Sequence, residues 1–421
     1  VANGLKMLMY CVYTALFRPF APCPRTLTEF LEAPLIIFFH TTTSILRCMR
    51  KLTVVQVVPA MQGGGVERGT LEVATALVQR GHRSIVISGG GRMVSALEAT
   101  GSEHITWPVG KKSLLGLRLV PRLRHFLKQQ HVDILHARSR MPAWIAYLAW
   151  RGMNKTQRPH FITTAHGQYS VNFYSSVMTR GERVIAVSNT IKDYLTNHYP
   201  HLDPHKIQVI YRGIDSNAFP YDYKAGNQWL HHWYEQYPQL LDSTIITLPG
   251  RLSRLKGHGD FIELMSRLKL QGANVYGVVV GDAGSEHDDY ANEIMRLTQE
   301  KGLDNIIFTG YRNDVREIYT VSDMVLSLSS KPESFGRTVL EALSLGIPVI
   351  GYDHGGVSEV LNAVFPEGRV AVGDLDALTQ KVQQFIAAKP TVTLMMRGTH
   401  PFPLKKMLDD TLDAYEVIAA D

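Results

Sequence analysis

Two carboxylates, Glu333 and Glu341, fall in the polar-to-apolar stretch Ser329–Leu343, with sequence SSKPESFGRTVLEAL. The run Met324–Leu328 before it reads as a buried strand, and a turn and a helix follow. In an open α/β sheet, ligands bind at the mouth beyond a strand's carboxyl end. Glu333 belongs to that mouth, and Glu341 lies two turns into the helix, whose other face Phe335, Val339, Leu340 and Leu343 can bury. Unpaired N–H groups at the helix start, around Gly336, suit a diphosphate, and carboxylates suit sugar hydroxyls. Alone, the pair fits a surface turn and a solvated glutamate equally well. Three other strand mouths change that reading: Arg251 and Lys256 leave one, Gly281 and Asp282 a second, and Gly355-Gly356 opens a third. Two cations, glycine-rich helix starts and paired carboxylates suit a nucleoside diphosphate joined to a sugar, with cations and helix dipoles stabilising the departing diphosphate. None of these four mouths carries an Asp-x-Asp pair, and no histidine-rich ligand spacing occurs. A metal site is therefore disfavoured and no cofactor is expected, the nucleotide-sugar being a co-substrate.

The elements that must hold these groups follow a βα rhythm. Leu52–Val58 reads as a first parallel strand, and a loop with Gly63, Gly64 and Gly65 leads to a helix through Leu71, Ala74, Leu77 and Val78. This is a phosphate- or substrate-approach loop, but the GxGxxG fingerprint and an acidic residue closing the next strand, Arg83–Ser88, are absent, which argues against nicotinamide binding. Strand Val132–Leu135 ends in His136-Ala137-Arg138, and Phe161–Thr164 ends in His166-Gly167. Val184–Val187 runs into Ser188, a cap for the helix Ile191–Tyr199. Polar residues at successive strand ends describe the rim of a cleft, where His136 and His166 either touch substrate or serve structure. Leu114–Gln129 reads as a helix that Pro121 kinks. Its polar side, with Arg118, Arg122, Arg124 and Lys128, continues Lys111-Lys112. That face is either solvated or meets an anionic membrane or a lipid-diphosphate acceptor. After an aromatic connector, 216–243, the rhythm restarts at Thr244, and the helical spacing of Leu404, Met407, Leu408, Thr411, Leu412 and Tyr415 demands a surface to lie on.

A length of 421 residues exceeds one ordinary core, and 45% hydrophobic with 19% charged residues describes a folded α/β protein of two domains. The net charge of +6 favours anionic partners. No aromatic-plus-basic stripe or recognition helix points to nucleic acid. Cys11, Cys23 and Cys48 all precede the first βα unit, which implies a reducing compartment. Residues 1–50 differ from the rest: their apolar runs, Met7–Phe17 and Pro34–Phe39, fall short of the roughly 18–20 residues a bilayer requires. A signal peptide or a membrane-dipping anchor is a lesser reading there. The preferred one is a translation start at Met49.

From about Leu52 onward these residues resemble glycosyltransferase family 4, the retaining nucleotide-sugar transferases of GT-B fold. The resemblance implies two Rossmann-like domains facing across a cleft, with a C-terminal helix crossing back. The acceptor side would be 51–215, the connector 216–243, the donor side 244–390 and the returning segment 391–421. Glu333 and Glu341 match the family's glutamates with seven residues between them, so Glu341 would hold the donor ribose and Glu333 face the transferred sugar. Arg251 and Lys256 are similar to the diphosphate-binding cations, with Gly281, Phe335 and Gly336 beside the donor. Gly63, Gly64 and Gly65, with His136 and Arg138, would meet the acceptor, and His166 is similar to the histidine beside the reacting sugar. Tyr211-Arg212-Gly213-Ile214-Asp215 departs from the family's Pro-Asn before Gly-Ile-Asp. The implied reaction is hexose transfer from a UDP- or GDP-sugar to a glycan or lipid-linked acceptor in bacterial envelope polysaccharide or lipopolysaccharide synthesis. It would be cytoplasmic, or peripheral on the inner membrane's cytoplasmic face. Rival readings are a sugar-nucleotide epimerase or phosphorylase of the same fold, or a non-catalytic binding protein.

Overall fold

In the computed structural model, residues 50–111, 113–282, 288–396 and 400–420 are described, so the expectations placed on Met49 and the three cysteines lie outside them. Residues 51–421 form one unit built on two parallel sheets. The first has seven strands in the order β3-β2-β1-β4-β5-β6-β7. In sequence these are β1 (Thr53–Val57), β2 (Arg83–Ser88), β3 (Glu103–Thr106), β4 (Ile134–Ala137), β5 (His160–Ala165), β6 (Arg183–Ala186) and β7 (Ile207–Val209). Helices α1 (Gly65–Gln79), α2 (Val94–Ala99), α3 (Leu119–Gln129), α4 (Arg140–Arg151) and α5 (Asn189–His198) cover its faces. Runs such as Val54-Val55 and Ile85-Val86-Ile87 are continuous rather than alternating because helices bury both sides of the strand.

The second sheet has six strands in the order β10-β9-β8-β11-β12-β13. They are β8 (Thr244–Pro249), β9 (Val275–Val280), β10 (Ile306–Phe308), β11 (Met324–Ser327), β12 (Val349–Tyr352) and β13 (Arg369–Val370). Its helices are α6 (Asn227–Gln236), α7 (His258–Leu270), α8 (Asp288–Glu300), α9 (Val315–Thr320), α10 (Arg337–Ser344), α11 (Gly355–Val364) and α12 (Leu375–Ala388). The aromatic connector contains α6, whose Trp233 is buried with Leu240, Ile245, Val278 and Ile318 and so joins this lobe's core.

A short turn, α13 (Thr393–Met396), precedes α14 (Leu404–Ile418). The helix α14 returns to the first lobe, burying Met407, Leu412, Tyr415 and Ile418 against Leu52, Val54, Leu77, Ile134 and Ile162. The two chain crossings are zipped together: Ile214 N–H donates to Phe402 O at 3.0 Å and Leu404 N–H to Ile214 O at 2.8 Å. A Cβ on Gly213 would fall 2.5 Å from Leu404 Cα, so no larger residue lets the crossings touch.

Two local expectations are settled. Ser188 caps α5, its hydroxyl accepting from Ile191 N–H at 3.2 Å. Pro121 does not kink a helix: a 3-10 turn, Leu114–Arg118, comes first, and Pro121 is the third residue of α3, where no intrahelical donor is required. Among the described residues, no helix is long and apolar enough to cross a membrane.

Candidate active site at the two switch points

Each sheet winds in both directions from its first strand, so a crevice opens between β1 and β4 and another between β8 and β11. The first crevice receives the Gly63–Gly65 loop and Arg138, and the second receives the Gly250–Gly257 loop and Ser329–Gly336. The lobes meet with these mouths adjacent. Ser334 Oγ donates to His166 O at 2.5 Å.

In the second mouth Lys256 Nζ donates to Glu333 Oε1 at 2.7 Å, and Ser329 Oγ donates to the same oxygen. Burial works to raise the Glu333 pKa, but Lys256, Ser329 and the nearby His354 outweigh it and hold the carboxyl below its ordinary range. The lysine stem crosses Gly250, which shares an edge with a cavity of about 870 Å³. Arg68, Phe219, Tyr311, Thr338 and Glu341 are among the residues lining it.

Glu341 belongs to a charge cluster that joins the lobes. Arg337 of α10 donates from Nη2 to Glu72 Oε1 at 2.8 Å and from Nε to Glu341 Oε1 at 3.2 Å. Arg68 of α1 stands 3.4 Å from Glu72 and 3.7 Å from Glu341 Oε1. These contacts with Glu341 use Oε1, leaving Oε2 for a ligand. Burial raises the Glu341 pKa against the pull of Arg337 and Arg68.

His166 follows β5. Its Nδ1 lies 2.8 Å from Arg212 Nη2, and its Nε2 is buried without a hydrogen-bond partner among the described residues. Gly63, Gly64 and Gly65 are exposed, with Gly64 the N-cap of α1 and open space beside Gly65. Arg251 is exposed and, among the described residues, carries no ion pair.

Among the other expected site residues, His136, Arg138 and Phe335 are buried in packed surroundings. His136 is fully buried, with Nδ1 2.6 Å from Tyr415 OH and Nε2 2.6 Å from Thr164 Oγ1, so neither nitrogen is left for an acceptor. Arg138 is also buried, donating to Thr70 Oγ1 at 3.2 Å beneath α1. The Phe335 side chain is buried in an aromatic cluster with Tyr211 and Phe402, at 6.3 and 5.4 Å between centroids. Gly281 serves the backbone: its φ is +147°, and a Cβ there would lie 2.1 Å from Gly250 O. Gly336 is the N-cap of α10.

An Asp-x-Asp spacing does occur in the chain, at Asp374 and Asp376, outside the four mouths. Asp374 caps α12 through Ala377 N–H at 2.8 Å, and Asp376 pairs with Arg267 at 2.6 Å. Among the described residues, no group of three or more His, Cys, Asp or Glu side chains could hold a metal ion.

The sequence reading passed over Arg68, Glu72, Ser329, Ser334 and Arg337. Arg68 and Glu72 are spaced i,i+4 directly behind the glycine loop, a signal readable as a surface pair. Arg212 was visible only as a departure from the family pattern.

Residues 63–218 match the family described as Glycosyltransferase Family 4, and residues 233–395 match Glycosyl transferases group 1. A glycosyltransferase from Rickettsia africae ESF-5, solved as a crystal structure, is 32% identical with a TM-score of 0.76, the alignment covering 88% of this chain and 99% of that one. Anabaena Alr3699/HepE, solved with UDP and glucose, has a TM-score of 0.73 over 86% of this chain and 99% of its own; at 20% identity this is a likeness of fold. The N-acetyl-alpha-D-glucosaminyl L-malate synthase of Bacillus anthracis is 26% identical over 344 residues, which is 78% of this chain and 85% of that protein.

Proposed function

The chain belongs to glycosyltransferase family 4, enzymes of GT-B fold that move a sugar from a nucleoside diphosphate donor to an acceptor, and we propose that it transfers a hexose with retention at the anomeric carbon. The observation that carries this reading is a series of adjacent residues from Gly250, which lines the cavity of about 870 Å³, through Lys256 and Glu333 to Ser334 and His166. The base and ribose occupy the cavity with Glu341 on the ribose. Lys256 and Arg251 meet the diphosphate, and Glu333 faces the sugar hydroxyls. The acceptor enters beside Gly63–Gly65. In a same-face reaction the departing phosphate oxygen takes the acceptor's proton, and the cations stabilise its charge. Incubation with a panel of UDP- and GDP-sugars, scoring released nucleoside diphosphate and product anomeric configuration by NMR, tests this. An inverted linkage refutes retention. Epimerised donor, or breakdown only with added phosphate, favours the rival chemistries.

The acceptor side is proposed to dock on an anionic membrane, at the inner membrane's cytoplasmic face, in envelope polysaccharide or lipopolysaccharide assembly. Residues 104–181 hold 12 lysines and arginines against one acidic residue, Asp133, although the whole chain carries only +6. Lys111, Arg118, Arg122 and Lys128 are exposed; Arg124 instead folds onto Ala149 O at 3.3 Å, and Lys112 lies outside the described residues. Leu117 and Phe173 are 49% and 74% exposed; the Phe173 ring lies tilted 5.0 Å from Trp144 of α4, and Gly116, next to Leu117, faces Met141 and Ile145 of the same helix. Each well-placed cation contributes about 1 kcal/mol at such a surface. Co-sedimentation with anionic vesicles should fall when Lys111, Arg118, Arg122 and Lys128 are neutralised. Equal, negligible pelleting of both proteins would favour a soluble acceptor.

A further inference from the structure

The environment of His166 determines which of its nitrogens holds the proton. Nδ1 faces Arg212 Nη2 at 2.8 Å. A guanidinium has donors and no acceptor, so Nδ1 must offer a lone pair. The ring is also neutral. Burial, then the charges of Arg212 and Arg138 and the neighbouring His136, hold its pKa well below the ordinary imidazole value. A neutral ring with a bare Nδ1 carries its hydrogen on Nε2, the buried atom that has no hydrogen-bond partner among the described residues.

Arg212 is held in a built seat. A Cβ on Gly69 of α1 would lie 2.2 Å from Arg212 Nη1, so the guanidinium occupies space that only glycine leaves open. The same nitrogen rests 4.0 Å from Met407 Sδ on α14. The charged groups around this pair are Arg138 after β4, Glu72 of α1 and Arg337 of α10, and Tyr169 OH accepts from His166 N–H at 3.1 Å. An asparagine, the residue the family pattern has before Gly-Ile-Asp, could turn either its amide or its carbonyl toward another group. An arginine can only donate.

We propose that Arg212 is a positioning residue that locks His166 as the Nε2–H tautomer, making His166 a hydrogen-bond donor to an oxygen of the bound nucleotide-sugar and not a base. The substrate part rests on the glycosyl-transfer reading; the tautomer part does not. His166 then stays uncharged across neutral pH, so kcat shows no acid limb near the ordinary histidine pKa of about 6.5 from this group.

The full chain with 15N-labelled histidine, observed by two-bond proton–nitrogen correlation without substrate, reads the tautomer directly, and His166→Gln assigns the signal by its loss. The expected result is a neutral Nε2–H ring from pH 6 to 8. A charged ring, or a proton on Nδ1, overturns the proposal. In Arg212→Met the His166 signal should shift toward a tautomer mixture. Its kcat should fall about 10–100-fold with donor KM changed far less, and Arg212→Lys, still a donor, should recover part of it. An unchanged kcat in Arg212→Met overturns the positioning role, and the wild-type spectrum decides the tautomer even if that variant does not fold. An Nε2–H ring in a protein that turns over no nucleotide-sugar would instead overturn the transferase reading.

Discussion

Lys256 and Glu333 neutralise each other in the resting site, so neither can be changed without altering the other. Glu333 keeps its charge because Lys256, Ser329 and His354 overcome a burial that works to raise its pKa. Removing the cation therefore takes away a diphosphate contact and strands a carboxylate. Lys256→Met should lower kcat/KM by about 10²–10³, as loss of one oxyanion donor does, and adding Glu333→Gln should cost less than the two single losses multiplied. Nucleoside diphosphate release from the four proteins of that cycle checks it; strict multiplication would mean the pair acts independently. Glu333, Glu341 and Lys256 were legible because each follows an apolar run that ends at a strand mouth. Arg212 beside His166 and the pairing of Glu72 with Arg337 were not, since those partners lie 46 and 265 positions apart. His136 misled for a related reason: the same strand-end position serves a cleft or a core, and only the arrival of Tyr415 from α14 decides.

At the scale of elements, three histidines are kept neutral by packing: His136 on β4, His166 after β5 and His258 at the start of α7. Burial lowers each pKa, that of His258 to about 4. Unfolding returns them to about 6.5, so below that pH the unfolded chain binds protons the folded chain refuses. Stability from these groups is thus complete above pH 7. It falls as the pH drops, by up to about 1.4 kcal/mol per pH unit for each histidine, until the folded pKa is reached. Melting midpoints should decline from pH 7 to pH 5, and His258→Gln should flatten the decline; a flat profile for the wild type would contradict the buried, neutral state. Strands of continuous β-branched residues and the spacing of α14 could be read in advance. The bounds of α3 could not, because Leu114–Arg118 has the same apolar spacing yet closes as a 3-10 turn.

For the whole molecule, the lobes touch at a front and at a hinge. At the front, Ser334 meets His166 and Arg337 meets Glu72. At the hinge, Glu359 of α11 accepts from Thr190 N–H at 2.7 Å, capping α5, and from Tyr211 OH at 2.8 Å. A rotation that widened the mouth would break the front contacts and could keep those of Glu359. Among the described residues the front sets Arg68, Arg138, Arg212 and Arg337 beside Glu72 and Glu341, an excess of cations that would favour an anionic donor. Glu72→Gln should therefore open the free enzyme, seen as a larger radius of gyration in solution scattering, and raise donor KM several-fold while added donor restores the compact form. Unchanged scattering and KM would show that the latch carries no weight. The sequence disclosed two βα series and a returning helix, but not this latch, whose members come from α1 and α10.

The contact of Gly213 with Leu404 limits how such opening can proceed. Two segments of the chain cross between the lobes there, and backbone hydrogen bonds on both sides of Ile214 bind them into one narrow ribbon. A ribbon of that kind twists readily but resists shear, because sliding would break both bonds at once. Rotation of one lobe against the other would turn about this ribbon, whose Gly213 directly follows Arg212, the residue that lies 2.8 Å from His166 Nδ1. A methyl group at position 213 would bend that ribbon, changing the angle at which the two mouths face each other while leaving each lobe's own residues in place.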